Sequence, residues 1–175
     1  MTTLNEYLAE KRAAIDARMA DVEAGKEDAV TLTAKVSAAG RSGIRRIRIR
    51  DFQILSDSDL DFAGYNLAPS SPELQMGVLG SCITHTFLIQ AALMGVPLDS
   101  IETEVNCTVD VRAGSPGFEK VPFPPHNIRY TVSIASSAPQ ADIDKLHEAV
   151  SDNCPIMSLL RNPQTITGKI RLTKA

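Results

Sequence analysis

The chain has 175 residues with 43% hydrophobic and 22% charged side chains, which excludes disordered, collagen-like and coiled-coil chains and favours one domain with an appendage. Its 18 Lys and Arg against 21 Asp and Glu give a formal charge of -3, with no bulk attraction for phosphate backbones or anionic lipid, so neither nucleic acid nor a membrane is an expected partner. Three cysteines and an N-terminus without an apolar leader argue against a stapled secreted scaffold and make the cytosol the expected compartment.

Residues 3 to about 24 predict an amphipathic helix, with Thr3 and Glu6 as a capping box and Leu4, Leu8, Ile15, Met19 and Val22 at helical spacings. Residues 1–28 therefore read as a helical extension to a domain over 29–175. In AVTLTAKVSA the alternation of Val30, Leu32, Ala34 and Val36 predicts a strand. After the turn from Gly40 to Gly43, IRRIRIRDFQIL puts Arg46, Arg48 and Arg50 on one face and Ile47 and Ile49 on the other, completing a hairpin. Ser71 as N-cap, Pro72 and Glu73 open a helix that runs to Met94, stopped by Gly95-Val96-Pro97. Apolar residues occupy nearly every face of it, which predicts a helix wrapped by protein on all sides. Gln75, Gly77, Gly80, Ser81, Thr84 and His85 interrupt it too often for a lipid-facing span.

The strand TEVNCTVDVR follows, with Val105, Cys107, Val109 and Val111 inward, then a Gly/Pro loop and a strand through Ile128, Tyr130, Val132 and Ile134. A helix from about Pro139 to Ser151 turns Ile143, Leu146 and Val150 inward. Cys154-Pro155 opens a short helix, and a final strand runs through Ile166, Ile170 and Leu172. This order predicts an α+β fold, a mixed and mostly antiparallel sheet packed on a long buried central helix and a second helix. No strand-to-helix turn carries a Gly-rich phosphate loop, so nucleotide binding has almost no support.

The residues alone leave the chemistry open. Cys82 lies inside the most buried helix, where a thiol behaves as a small hydrophobe. Cys154 at the N-cap of PIMSLLR has the amides and helix dipole that favour a thiolate, so a structural and a functional reading both stand. Cys107 reads as a packed core thiol. His85, three residues after Cys82, shares its helix face, but no CxxC or HxxxH partner appears for a metal. Arg41, Arg45, Arg46, Arg48 and Arg50 form the one basic patch, countered by Asp51, Asp57, Asp59 and Asp61; Arg41 alone sits in the turn. Glu73 reads as a dipole-compatible carboxylate.

Four segments in order, AGRSG, PSSPELQMGVLGSC, TEVNCTVDVR and DNCPIMSLL, resemble the OsmC/Ohr family over roughly residues 29 to 175. The resemblance implies an OsmC-like fold, an intertwined homodimer with sites at the subunit interface, and reduction of organic hydroperoxides without metal or other cofactor. By motif position it makes Cys82 the peroxidatic cysteine, Cys154 the resolving one, and Arg41 and Glu73 the pair that orients the thiolate, with Arg45 or Arg46 as alternatives to Arg41. A small dithiol or lipoyl-type reductant is implied, and Leu79, Ile83 and Phe87 would favour an organic peroxide. Glu73 stands nine residues before Cys82, about 180° round a straight helix and ~13 Å along it, so the two meet only through an intermediary or a broken helix start. The rival expectation is a non-catalytic OsmC-like module that binds a small apolar ligand or acts as a redox sensor.

Overall fold

The computed structural model describes residues 3–38 and 40–173, and the order of elements among them is α1 (Leu4–Glu23), β1 (Ala34–Ala38), β2 (Arg45–Ile49), β3 (Phe52–Ser56), α2 (Ser71–Met94), β4 (Ser100–Thr108), β5 (His126–Ala135), α3 (Gln140–Asn153) and α4 (Pro155–Arg161). A short 3-10 turn, Leu60–Phe62, lies in the loop into α2.

The expected capping box starts α1: the Thr3 hydroxyl accepts the Glu6 amide at 3.3 Å and the Glu6 carboxylate accepts the Thr3 amide at 2.6 Å. Leu8 buries its side chain, with Leu4 and Ile15 beside it, against the end of α2. Asn5 locks that contact by accepting the Leu98 amide at 2.8 Å and donating to Asp99 at 3.1 Å, and Arg12 donates to the Leu93 carbonyl at 2.9 Å.

The α+β class holds, but the strands form two separate antiparallel sheets rather than one mixed sheet. IRRIRIRDFQIL makes two strands: Arg50 adopts a positive φ of 53°, so Arg50-Asp51 closes a second hairpin that aligns Ile49 with Phe52 and Ile47 with Ile54. With Val36 opposite Ile47 and Ala34 opposite Ile49, the β1-β2-β3 sheet gathers Ala34, Val36, Ile47, Ile49, Phe52 and Ile54 on one face. In the second sheet β4 pairs with β5, Val105 opposite Tyr130 and Thr103 opposite Val132. Its half-buried face packs on α2. Gly80 permits the approach, because a Cβ there would meet Val105 at 3.2 Å.

Four sequence expectations are corrected. Residues 163–173 form no strand, and Ile166, Ile170 and Leu172 are exposed, because no strand among the described residues pairs with their alternation. Val109 and Val111 lie past the end of β4 and face solvent, since the chain turns at Asp110, whose carboxylate holds the Arg112 amide and guanidinium. The N-cap of α2 is Ser70, not Ser71, because only Ser70 places Glu73 at the third helical position, where its carboxylate accepts both the Ser70 amide and hydroxyl at 2.7 Å. Finally, α2 is not covered all round: Val78, Leu93 and Met94 are exposed.

The covered face of α2, with Leu79, Ile83, Phe87 and Ala91, meets Leu146 and Val150 of α3 and Met157 of α4 in one core. Each large side chain there contributes about 1.5–3 kcal/mol by leaving water. Although α2 is long and apolar enough to cross a bilayer, it serves as the core helix on which the other three helices and β4 pack.

Candidate active site

Two helices bring the cysteines together. Cys82 projects from the middle of α2, while Cys154 ends α3 and caps α4. Pro155 disfavours helical backbone at the residue before it, so Cys154 is extended (φ -81°, ψ 109°) and the chain bends there. That bend seats the Cys154 sulfur in the core, 1% exposed, 3.5 Å from the half-buried Cys82 sulfur. A disulfide requires about 2.0 Å, so a shift of about 1.5 Å closes the pair.

Pro155 has no amide hydrogen, so Ile156 supplies the first free amide of α4, and its influence lowers the pKa of the Cys82 thiol. Burial nevertheless pushes the Cys82 thiol above its ordinary pKa, and the neighbouring Cys154 adds to this, outweighing the Ile156 amide. Within one chain, burial and its neighbour thus favour the neutral thiol at Cys82.

The other expected site residues are elsewhere. Glu73 lies at the exposed start of α2, where hydrogen bonds from the Ser70 hydroxyl and amide hold its carboxyl below the usual range. Arg41 sits in the exposed turn between β1 and β2. Arg45 is committed: it donates to the carbonyls of Gly43 and Asp57 and the hydroxyls of Ser56 and Ser58 at 2.7–3.1 Å. The neighbouring Asp57 is fully buried and accepts the Tyr65 and Leu67 amides at 3.1 Å each, so this knot fixes the sheet to the loop entering α2. Arg46 is exposed on the polar face of the sheet. His85 turns to α1, its Nε2 3.2 Å from Lys11 Nζ; desolvation and then the Lys11 charge lower its pKa.

A cleft of about 760 Å³ runs between the start of α2 and β4, lined by Glu73, Gly77, Gly80, Thr84 and Cys107 among others, without reaching Cys82. Cys107 is thus half-exposed to a cleft rather than packed in the core. Ile83 and Phe87 are at most 1% exposed and belong to the core, so they form no peroxide-facing wall. Leu79 borders a small cavity of about 160 Å³ with Ile128, Tyr130, Met157, Leu160 and Arg161, and the edge of the Phe87 ring borders a groove of about 660 Å³ with Tyr130, Ile143 and His147.

Sequence reasoning missed two features. The Ile156 amide was legible, since the Pro155 that marks the helix start also frees the next N–H. The pairing of Tyr130 with His147, 2.7 Å from Oη to Nε2, joins a strand to a helix and leaves no spacing to read.

The sequence model of the OsmC-like protein family matches residues 64–169. Among solved structures, an OsmC-like protein from Mycoplasma pneumoniae superposes with a TM-score of 0.64 at 16% identity, covering 77% of this chain and 89% of that one. An organic hydroperoxide resistance protein from Elizabethkingia anophelis gives 0.56 at 14% identity over 77% and 91%, and one from Legionella pneumophila 0.54 at 14% over 77% and 92%. At these identities the likeness speaks for the fold. No curated protein matches the chain in sequence. The family match spans more than half of the chain, and together with the shared fold it places this protein in the OsmC-like protein family.

Proposed function

We propose that the protein is a cytosolic, homodimeric thiol peroxidase that reduces organic hydroperoxides. The observation that carries this reading is the 3.5 Å approach of the Cys82 and Cys154 sulfurs. The Cys82 thiolate attacks one peroxide oxygen, the O–O bond breaks, and the leaving alkoxide takes a proton to become an alcohol, leaving Cys82 as a sulfenic acid. The Cys154 thiol then displaces that hydroxyl as water and forms the disulfide, which a small dithiol reduces.

In this reading Arg41 lowers the Cys82 pKa and Glu73 holds the guanidinium in place, both reaching the thiol across a dimer interface. Three features support a second copy: the separation of Glu73 from Cys82 along α2, the apolar face of β1-β2-β3, and the uncovered side of α2. A three-stranded sheet with a bare apolar face calls for cover. Residues 1–28 are read as an extension to the domain over 29–175, clamped on the end of α2. Family resemblance to organic hydroperoxide resistance proteins supports the substrate class.

The test is dithiothreitol-dependent consumption of cumene hydroperoxide. The parent should turn over and Cys82→Ser should match buffer; equal rates in the two would refute the reading. The raised thiol pKa and the 760 Å³ cleft favour one alternative, a module that binds a small apolar ligand and reacts with peroxide slowly. Ligand-dependent thermal stabilisation in a protein without turnover would select it.

A further inference from the structure

Charge is not spread evenly along this chain. Residues 34–56, which make β1-β2-β3, carry six of the 18 Lys and Arg but one of the 21 Asp and Glu, leaving an acidic remainder. Strand register gathers part of that charge on one face. Lys35 stands opposite Arg48 and Ser37 opposite Arg46, while Gln53 and Leu55 complete the two rows from β3, and all six side chains are exposed. This face is the reverse of the apolar one that carries Val36, Ile47 and Ile54.

Like charges directly opposite each other on neighbouring strands are destabilising, and nothing within the chain relieves this pair. Among the described residues no carboxylate makes an ion pair with Lys35, Arg46 or Arg48. The aspartates that follow in sequence do not neutralise the face. Asp57 is buried with its carboxylate on the Tyr65 and Leu67 amides, and Asp51, Asp59 and Asp61 form no ion pair among the described residues. An anion from outside the chain would relieve the repulsion.

The dimensions and surroundings of the face select the kind of anion. The five residues of β2 span about 17 Å and its two outward arginines stand about 7 Å apart, the spacing of side chains at alternate positions of an extended peptide. A nucleic-acid duplex or a bilayer overruns a stripe of this size and meets the acidic remainder of the surface, whereas a short extended segment stays within it. Each guanidinium offers a carboxylate a two-pronged hydrogen bond, and Lys35 adds a third charge. Ser37 and Gln53 supply neutral hydrogen-bonding groups beside them, and Leu55 an apolar contact.

We propose that the face of Lys35, Arg46 and Arg48 docks an acidic segment of a partner protein, extended and with Asp or Glu at alternate positions. The carboxylates of that segment point to the sheet and the intervening residues to solvent. Elsewhere the acidic remainder of the chain repels it, so the charge asymmetry steers and orients the encounter. A second copy on the opposite, apolar face leaves this one outward.

The test follows the fluorescence anisotropy of a fluorescein-labelled peptide of about ten residues, alternating Glu and Ser, titrated with the full chain at about 20 mM salt, where surface charges are weakly screened. The parent should bind, and about 0.3 M salt should release the peptide. Arg46→Gln with Arg48→Gln should weaken binding by about tenfold or more, whereas Arg18→Gln, which removes an exposed cation of α1, should leave it unchanged. Because the double substitution removes the repulsion between Lys35 and Arg48, it should not lower the thermal unfolding midpoint, which separates lost docking from a lost fold. No binding by the parent, or equal affinity in the parent and the double variant, would overturn the proposal. Tighter binding, at equal salt, of a labelled oligothymidylate of about the same length or of vesicles with about 30% phosphatidylserine would also overturn it, by assigning the face to nucleic acid or membrane.

Discussion

Around the thiol pair the chain completes its own packing: Ile83, Phe87, Leu146, Val150 and Cys154 are at most 1% exposed. In the β1-β2-β3 sheet, by contrast, Val36, Ile49, Phe52 and Ile54 are 60%, 39%, 61% and 42% exposed, although they share one face. Both regions follow ordinary apolar patterning, yet only the first finds its cover within the chain. The comparison teaches that thiol proximity is built into one polypeptide, while Arg41 lies in a turn of the sheet whose apolar face stays bare; on the proposed function a second copy brings it to the thiol. The raised pKa of Cys82 in one chain is the electrostatic counterpart of that division.

The largest expected effects break the finished region. Cys82→Ser should reduce peroxide turnover to the buffer level, while Cys154→Ser should give one dimedone-trappable sulfenic acid per chain, read by mass spectrometry. Next come changes that keep the two regions apart. Ile47→Asp with Ile54→Asp should yield a monomer by light scattering and slow peroxide reaction to the same degree as Arg41→Gln, about 10²-fold, by removing the positive charge from the thiolate. Iodoacetamide labelling against pH should place the Cys82 titration higher in Arg41→Gln than in the parent. A monomeric sheet variant with full activity would break the comparison.

How much of this was legible in the sequence follows the same division. The capping box at Thr3, the central helix and the bend at Cys154-Pro155 come from local rules, in which side chains a few residues apart decide the backbone, and these were readable. The sheet region was legible as alternation but not as pairing. Ile166, Ile170 and Leu172 alternate without a strand to meet, and the split of IRRIRIRDFQIL depends on Arg50 entering a positive φ, for which no glycine gives warning. The 3.5 Å sulfur contact spans 72 residues of chain, and only the family resemblance joined those two cysteines in advance.

Smaller effects sharpen the contrast in stability. Leu146→Ala empties a fully buried site and should cost about 2–5 kcal/mol in denaturant unfolding. Val36→Ala should cost less than about 0.5 kcal/mol at dilutions where the chain is monomeric, and more once it dimerises, which a concentration series detects. The smallest effect concerns the loop after β4. The Arg112 guanidinium and amide hold the Asp110 carboxyl down to about 2. Because the folded pKa lies below the unfolded one, the contribution of this pair is present above the ordinary aspartate range and is lost as pH falls through about 2. Carboxyl carbon NMR should show that midpoint, and Arg112→Gln should raise it while the backbone amide of residue 112 still keeps it below the ordinary range.

The central claim, that Cys82 and Cys154 act as one redox unit, is tested most directly by peptide mapping of the purified protein before and after one equivalent of cumene hydroperoxide with no reductant added. The account predicts the loss of two hydrogens, localised to a linkage between the Cys82 and Cys154 peptides. Oxygen addition scattered over the methionines and Cys107, with both thiols of the pair unchanged, would contradict it.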